Sequence, residues 1–144
     1  MATVELRFSA LPEHVRTARL VAAAVARRAG VDEAVLDEVR LAVGEACSRA
    51  VGLHQSAGII EPVRVALIED EKQFSIEVGD DAPRSVPGDR TSGASADADV
   101  EAEEDEMGLA VISGLVDDVE VTAGENGGLI RMTWPTVPPG VALT

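Results

Sequence analysis

LDEVRLAVGEACSRAVGLH, residues 36–54, carries the pattern around which the rest of the chain is arranged. Leu36, Val39, Val43, Ala46, Cys47 and Ala50 recur at spacings of three and four. That period predicts one long amphipathic helix with an apolar stripe facing a core. Ala42, Glu45 and Arg49 are expected on a different face. Glu45 and Arg49 are four apart, so their side chains are neighbours. Alone, that pair reads as a surface ion pair on a core helix.

Working back from this helix, Asp32 is a candidate N-cap and Glu33 sits in a favourable first turn. A first helix is expected from about Glu13 to Ala29, with Pro12 tolerated near its first turn and Gly30 terminating it. Val15, Ala18, Val21, Ala22 and Val25 form its core side. Arg16, Arg19, Arg27 and Arg28 make its outer side basic. That outer side is either solvated surface or a docking face for an acidic partner. Val4 to Phe8 alternates apolar and polar residues and predicts a leading strand.

Working forward, Gln55 to Gly58 is polar and small and predicts a loop. Val63–Ile68 and Phe74–Val78 are β-branched alternating runs joined by a connection of hairpin length, Glu69–Gln73, so they should pair antiparallel. Gly79 to Pro83, GDDAP, ends the second of them. Residues 84–106 break the composition. Seven of the ten residues from Asp97 to Glu106 are acidic, and such a block repels itself and buries no face. It predicts a long lid-like or disordered loop. Met107 and Gly108 then open a helix to about Val116 whose apolar face is Leu109, Ile112 and Leu115 or Val116. Val119–Thr122 and Leu129–Trp134 are strands around a GENGG turn, Gly124–Gly128. Residues 136–144, rich in proline, are expected to fray. The expectation is one domain over residues 1–135. Its class is α+β, a two-layer sandwich with helices on one face of a mixed, mainly antiparallel sheet.

Composition narrows the function. The chain has 144 residues, enough for a real core. The formal net charge is −14, which opposes electrostatic attraction to nucleic acid or anionic lipid. Aromatic residues are 2%, so the core must be built from Val, Leu, Ile and Ala. Cys47 is the single cysteine, so no intrachain disulfide forms, and it reads as a small core residue. His14 and His54 have no metal-ligand spacing with Cys47, and no metal site is expected. No leader or membrane-spanning run is visible, which makes a cytoplasmic location the expectation.

Four motifs occur in order: LRFSAL (Leu6–Leu11) with the later Ala18 and Arg19, VGEACSRAV (Val43–Val51), IEVGDDAP (Ile76–Pro83), and EMGLAVISGLVDDVEV (Glu106–Val121). Together they resemble the GHKL ATPase superfamily, which includes gyrase B, MutL and histidine kinases. More closely they resemble the bacterial anti-sigma factor serine kinases of the sporulation and stress-response type. The resemblance spans about Glu5 to Trp134. It implies that Glu45 is the base that polarises a partner's serine hydroxyl. It implies that Asp80 accepts the adenine amino group of ATP, with Met107 and Gly108 at the phosphate end of a lid. It implies a homodimer joined near the first strand and first helix. The implied partners are a sigma factor and an anti-anti-sigma protein of STAS fold, with Arg19, and Arg16 beside it, as contacts.

The chain departs from that pattern. Arg49 stands where the family has a magnesium-binding asparagine, and a guanidinium has no acceptor for a metal. It could instead pair with Glu45 one turn away. Ala82 and Arg84 replace expected glycines, and Glu106 replaces the glycine before Met107, behind the acidic run. Negative charge there repels a triphosphate. The expectation is therefore an anti-sigma-like regulator that works through protein contacts, with ATP and Mg²⁺ chemistry lost or weak. The alternatives are an active serine kinase for a STAS-domain protein and an acidic scaffold with no sigma-factor role.

Overall fold

The computed structural model describes residues 2–83 and 109–136. The expected acidic loop, Met107, Gly108, and the tail beyond Thr136 lie outside them. Five strands form one sheet: β1 (Ala2–Phe8), β2 (Val63–Glu69), β3 (Gln73–Asp80), β4 (Asp118–Gly124) and β5 (Gly127–Pro135). Helices α1 (Val15–Ala29), α2 (Leu36–Ala57) and α3 (109–115) supply the second layer.

The strand order is β1-β2-β3-β5-β4, and every pairing is antiparallel. The mainly antiparallel α+β sandwich expected from the sequence is thus observed. Strand alternation sends Val65, Leu67, Phe74, Ile76, Val78, Ile130 and Met132 to the helix side, where all are buried. Each such side chain contributes about 1.5–3 kcal/mol relative to exposure. Ile112 and Val116 bring α3 and its following residue into the same core. On the other face, the cross-strand row Arg7, Arg64, Gly79, Leu129 and Thr122 is covered by no described element.

Both long helices stop for the same reason. Gly30 and Gly58 take left-handed conformations, φ 102° and φ 66°, that cost other residues dearly. Behind Gly30, the Val31 and Gly30 amides donate to Ala26 O and Arg27 O. Behind Gly58, the Ile59 and Gly58 amides donate to His54 O and Gln55 O. This paired pattern satisfies the last carbonyls of each helix. It also corrects the expected loop at Gln55–Gly58. Gln55, Ser56 and Ala57 are compatible with helix, so α2 runs on until glycine ends it, and the Gln55 side chain donates to Ala10 O at 3.2 Å.

At its start, α2 follows a short 3-10 turn, Glu33–Val35, whose N-cap Asp32 accepts from Ala34 N–H at 3.2 Å. The stripe Leu36, Val39, Val43, Ala46, Cys47 and Ala50 is buried throughout. Ala42 is not on the outer face as expected but is 0% exposed. Packing against both α1 and the sheet widens the buried arc of α2 beyond a single stripe, and a small side chain is what the closer contact admits.

Candidate functional site

Three residues of α2 define the site's length: Glu45, Arg49 and His54. Glu45 and His54 are nine residues apart, about 13 Å along the helix axis. The two ends have different surroundings.

At the Glu45 end, α1 and α2 bound a groove of ≈570 Å³. Arg16 and Arg19 from α1, and Leu41, Gly44, Glu45 and Ser48 from α2, line it. Nothing local in the chain puts the basic residues beside the carboxylate, because that depends on how the helices cross. Gly44 makes the crossing close: a Cβ there would stand 2.7 Å from Arg19 Cδ. Two of the four arginines on α1 are used internally. Arg27 pairs with Glu33 at 3.2 Å and Arg28 with Glu69 at 2.8 Å. Among the described residues Arg16 and Arg19 form no ion pair, and both line the groove. Leu41 is 57% exposed beside them. Glu45 and Arg49 are both half-buried, and among the described residues no ion pair joins them.

At the other end, β3 delivers Asp80 into a turn. Asp80 is 2% exposed, and its Oδ1 accepts the Ala82 amide at 3.0 Å. The next amide, Asp81 N–H, donates to His54 Nε2 at 2.9 Å. His54 Nδ1 lies 2.9 Å from Glu61 O. With Nε2 accepting, the contact at Nδ1 suits the tautomer that carries its hydrogen on Nδ1. On the far side of the sheet Arg64 reaches Asp81 Oδ1 at 2.9 Å and Asp80 O at 3.5 Å. Gly127 closes the turn from β5. Its φ is 119°, and an added Cβ would collide with the Asp80 carbonyl oxygen and stand 2.9 Å from Asp81 Cα.

The structure therefore separates the expected site residues into two groups. Glu45, Arg16 and Arg19 share the groove, Asp80 sits in the turn, and Arg49 lies between them on α2. Met107 and Gly108 fall outside the described residues. Sequence reasoning missed His54, although a signal was present. His54 lies four residues past Ala50 on the buried stripe, and a polar side chain there requires hydrogen-bond partners.

Cys47 offers no chemistry. Burial pushes its thiol up from 9.0 to about 12, so it stays protonated at neutral pH. Among the described residues no group of three His, Cys, Asp or Glu side chains could hold a metal ion. Arg49 carries a fixed positive charge and no lone pair, so its side chain is no ligand for a metal ion.

The histidine kinase-like ATPase domain model matches residues 8–134. The chain belongs to that family. No curated protein sequence matches it. Its fold is similar to that of the crystal structure of the RsbU and RsbW domains of Rv1364c from Mycobacterium tuberculosis. The TM-score is 0.67 over 96% of this chain at 16% identity. The chain spans 33% of that longer protein. In this histidine kinase-like ATPase domain, no helix among the described residues is long and apolar enough to cross a membrane.

Proposed function

We propose that the chain is an anti-sigma-type regulator that acts by capturing a protein partner on the α1–α2 groove. Its nucleotide frame keeps the adenine end at Asp80 but not the metal position. The observation that carries this reading is the placing of Arg16 and Arg19, without internal ion pairs among the described residues, beside exposed Leu41 and Glu45. Two guanidiniums around an apolar anchor suit an acidic, partly apolar surface on the partner. An anti-anti-sigma protein of STAS fold, or a sigma factor, is the proposed partner. The domain itself pairs as a homodimer near β1 and α1, where β1 presents a free edge among the described strands. Its location is the cytoplasm.

The same groove favours a second reading. A partner held by Arg19 would present a serine beside Glu45, as an active kinase requires. Arg49 supports the first. Transfer of a phosphoryl group depends on positioning and on metal-held charge, and a guanidinium in the metal's place supports neither magnesium nor its water shell. Any nucleotide binding is therefore weak and independent of Mg²⁺.

The test is a phosphotransfer assay with labelled ATP and Mg²⁺ on a STAS-domain partner captured from the native cell. The proposed reading expects capture without transfer, and no transfer by Arg49→Asn alone. Serine phosphorylation of the partner by the wild-type chain would establish the kinase reading instead.

A further inference from the structure

Described residues hold the turn after β3 from three directions, one of them from the helix layer. Arg64 grips it from the uncovered face of the sheet, at 2.9 Å from the Asp81 carboxylate. Gly127 meets it from the neighbouring strand. From inside, His54 is 0% exposed and accepts the Asp81 amide at 2.9 Å while its other nitrogen bonds Glu61 O at 2.9 Å. Among the described residues His54 is thus a direct polar link between the turn and α2. The same helix carries Glu45 and Arg49.

We propose that His54 is a positioning residue for Asp80. By fixing the Asp81 amide, it fixes the plane of the peptide that follows Asp80. It thereby sets the direction in which the buried Asp80 carboxylate faces a ligand. Because the anchor is on α2, His54 also sets the distance between the Asp80 turn and Glu45. The inference rests on reading Asp80 as the group that recognises an adenine ring. An imidazole suits the task because it accepts and donates at opposite ends of one rigid ring. Alanine would remove the partner that the Asp81 amide and the Glu61 carbonyl share in this part-buried site. Glutamine offers one acceptor and one donor at a similar reach.

The probe is ADP without added metal, titrated into wild type, Asp80→Ala, His54→Ala and His54→Gln. Amide exchange at Asp81 and Ala82 and the imidazole ¹⁵N shifts are recorded in parallel. Wild type is expected to show the Nδ1–H tautomer and slow exchange at Asp81. His54→Ala is expected to speed exchange at Asp81 and Ala82 selectively. It should lower ADP affinity about tenfold, close to the loss in Asp80→Ala. His54→Gln should recover slow exchange and most of the affinity.

Unchanged ADP affinity in His54→Ala, alongside loss in Asp80→Ala, would overturn the proposal. So would an Asp81 amide that stays protected in His54→Ala. If Asp80→Ala binds ADP as wild type does, or neither binds it, the adenine reading of Asp80 fails, and exchange at Asp81 then decides the role of His54 in holding the turn. If His54→Ala does not fold, His54→Gln decides alone: retained protection at Asp81 with near-native affinity supports the proposal, and loss of either overturns it.

Discussion

Gly127 shows how much a single residue without a side chain can fix. At φ 119° it occupies backbone space that alanine enters only under strain, and its missing Cβ leaves room for the Asp80 carbonyl. Gly127→Ala is expected to destabilise the domain by about 1–3 kcal/mol from backbone strain alone, with the collision adding to it. Urea unfolding followed by the single buried Trp134 measures this. The GENGG turn was legible in the sequence, but the function of its second glycine was not, since Asp80 is brought beside it only by the pairing of β3 with β5. Cys47 gives a second prediction at this scale. Burial raises its pKa from 9.0 to about 12. Below pH 9 the thiol is neutral in both folded and unfolded chains, so it contributes no pH dependence there. Between pH 9 and about 12 the unfolded chain ionises first, so stability falls as pH rises through that window. At pH 8 a thiol-alkylating reagent should leave native Cys47 unmodified and label it in denaturant. Rapid labelling of the native chain would contradict its burial.

Element by element, periodicity carried most of the fold. The α2 stripe, the alternating strands and the two hairpins were all readable, because each rests on contacts within a few residues. What was not readable came from contacts far apart in sequence. β1 pairs with β2 across more than fifty residues, with Ala2 opposite Glu69 and Phe8 opposite Val63. Nothing local announces that partner. Ala42 was misplaced because the width of a helix's buried arc depends on how many neighbours it has. The last turn of α2 is hard to read because its polar composition suggests a stop, whereas Gly58 is the stop. Ile76, on the central β3 and 0% exposed, tests the core side. Ile76→Ala should cost about 2–5 kcal/mol in urea unfolding. The Arg28–Glu69 pair between α1 and β2 is a contrasting case. Its arginine side chain is 64% exposed, so Arg28→Ala should cost no more than about 1 kcal/mol, less at high salt.

For the whole molecule, the fold class and the family were within reach of the sequence, whereas the assembly of the candidate site was only partly so. Glu45, Asp80, Arg16 and Arg19 are separate candidates from the sequence alone. Their division into a groove and a turn, about 13 Å apart along α2, needed the helix crossing and the sheet order. Arg19→Glu should weaken partner capture at least about tenfold while leaving the urea midpoint within error, because the residue is exposed and its stem only rests on Gly44. Unaltered capture, measured by titration with the isolated partner, would remove Arg19 from the docking surface.

The account turns on the charge at residue 49. Calorimetric titration of ATP into the wild-type chain, with Mg²⁺ and then with a chelator, tests it directly. Under the proposed function, binding is weak and of the same affinity in both conditions, because the proposal puts the Arg49 guanidinium where a magnesium ion would sit. Micromolar binding that appears only with Mg²⁺ would contradict it.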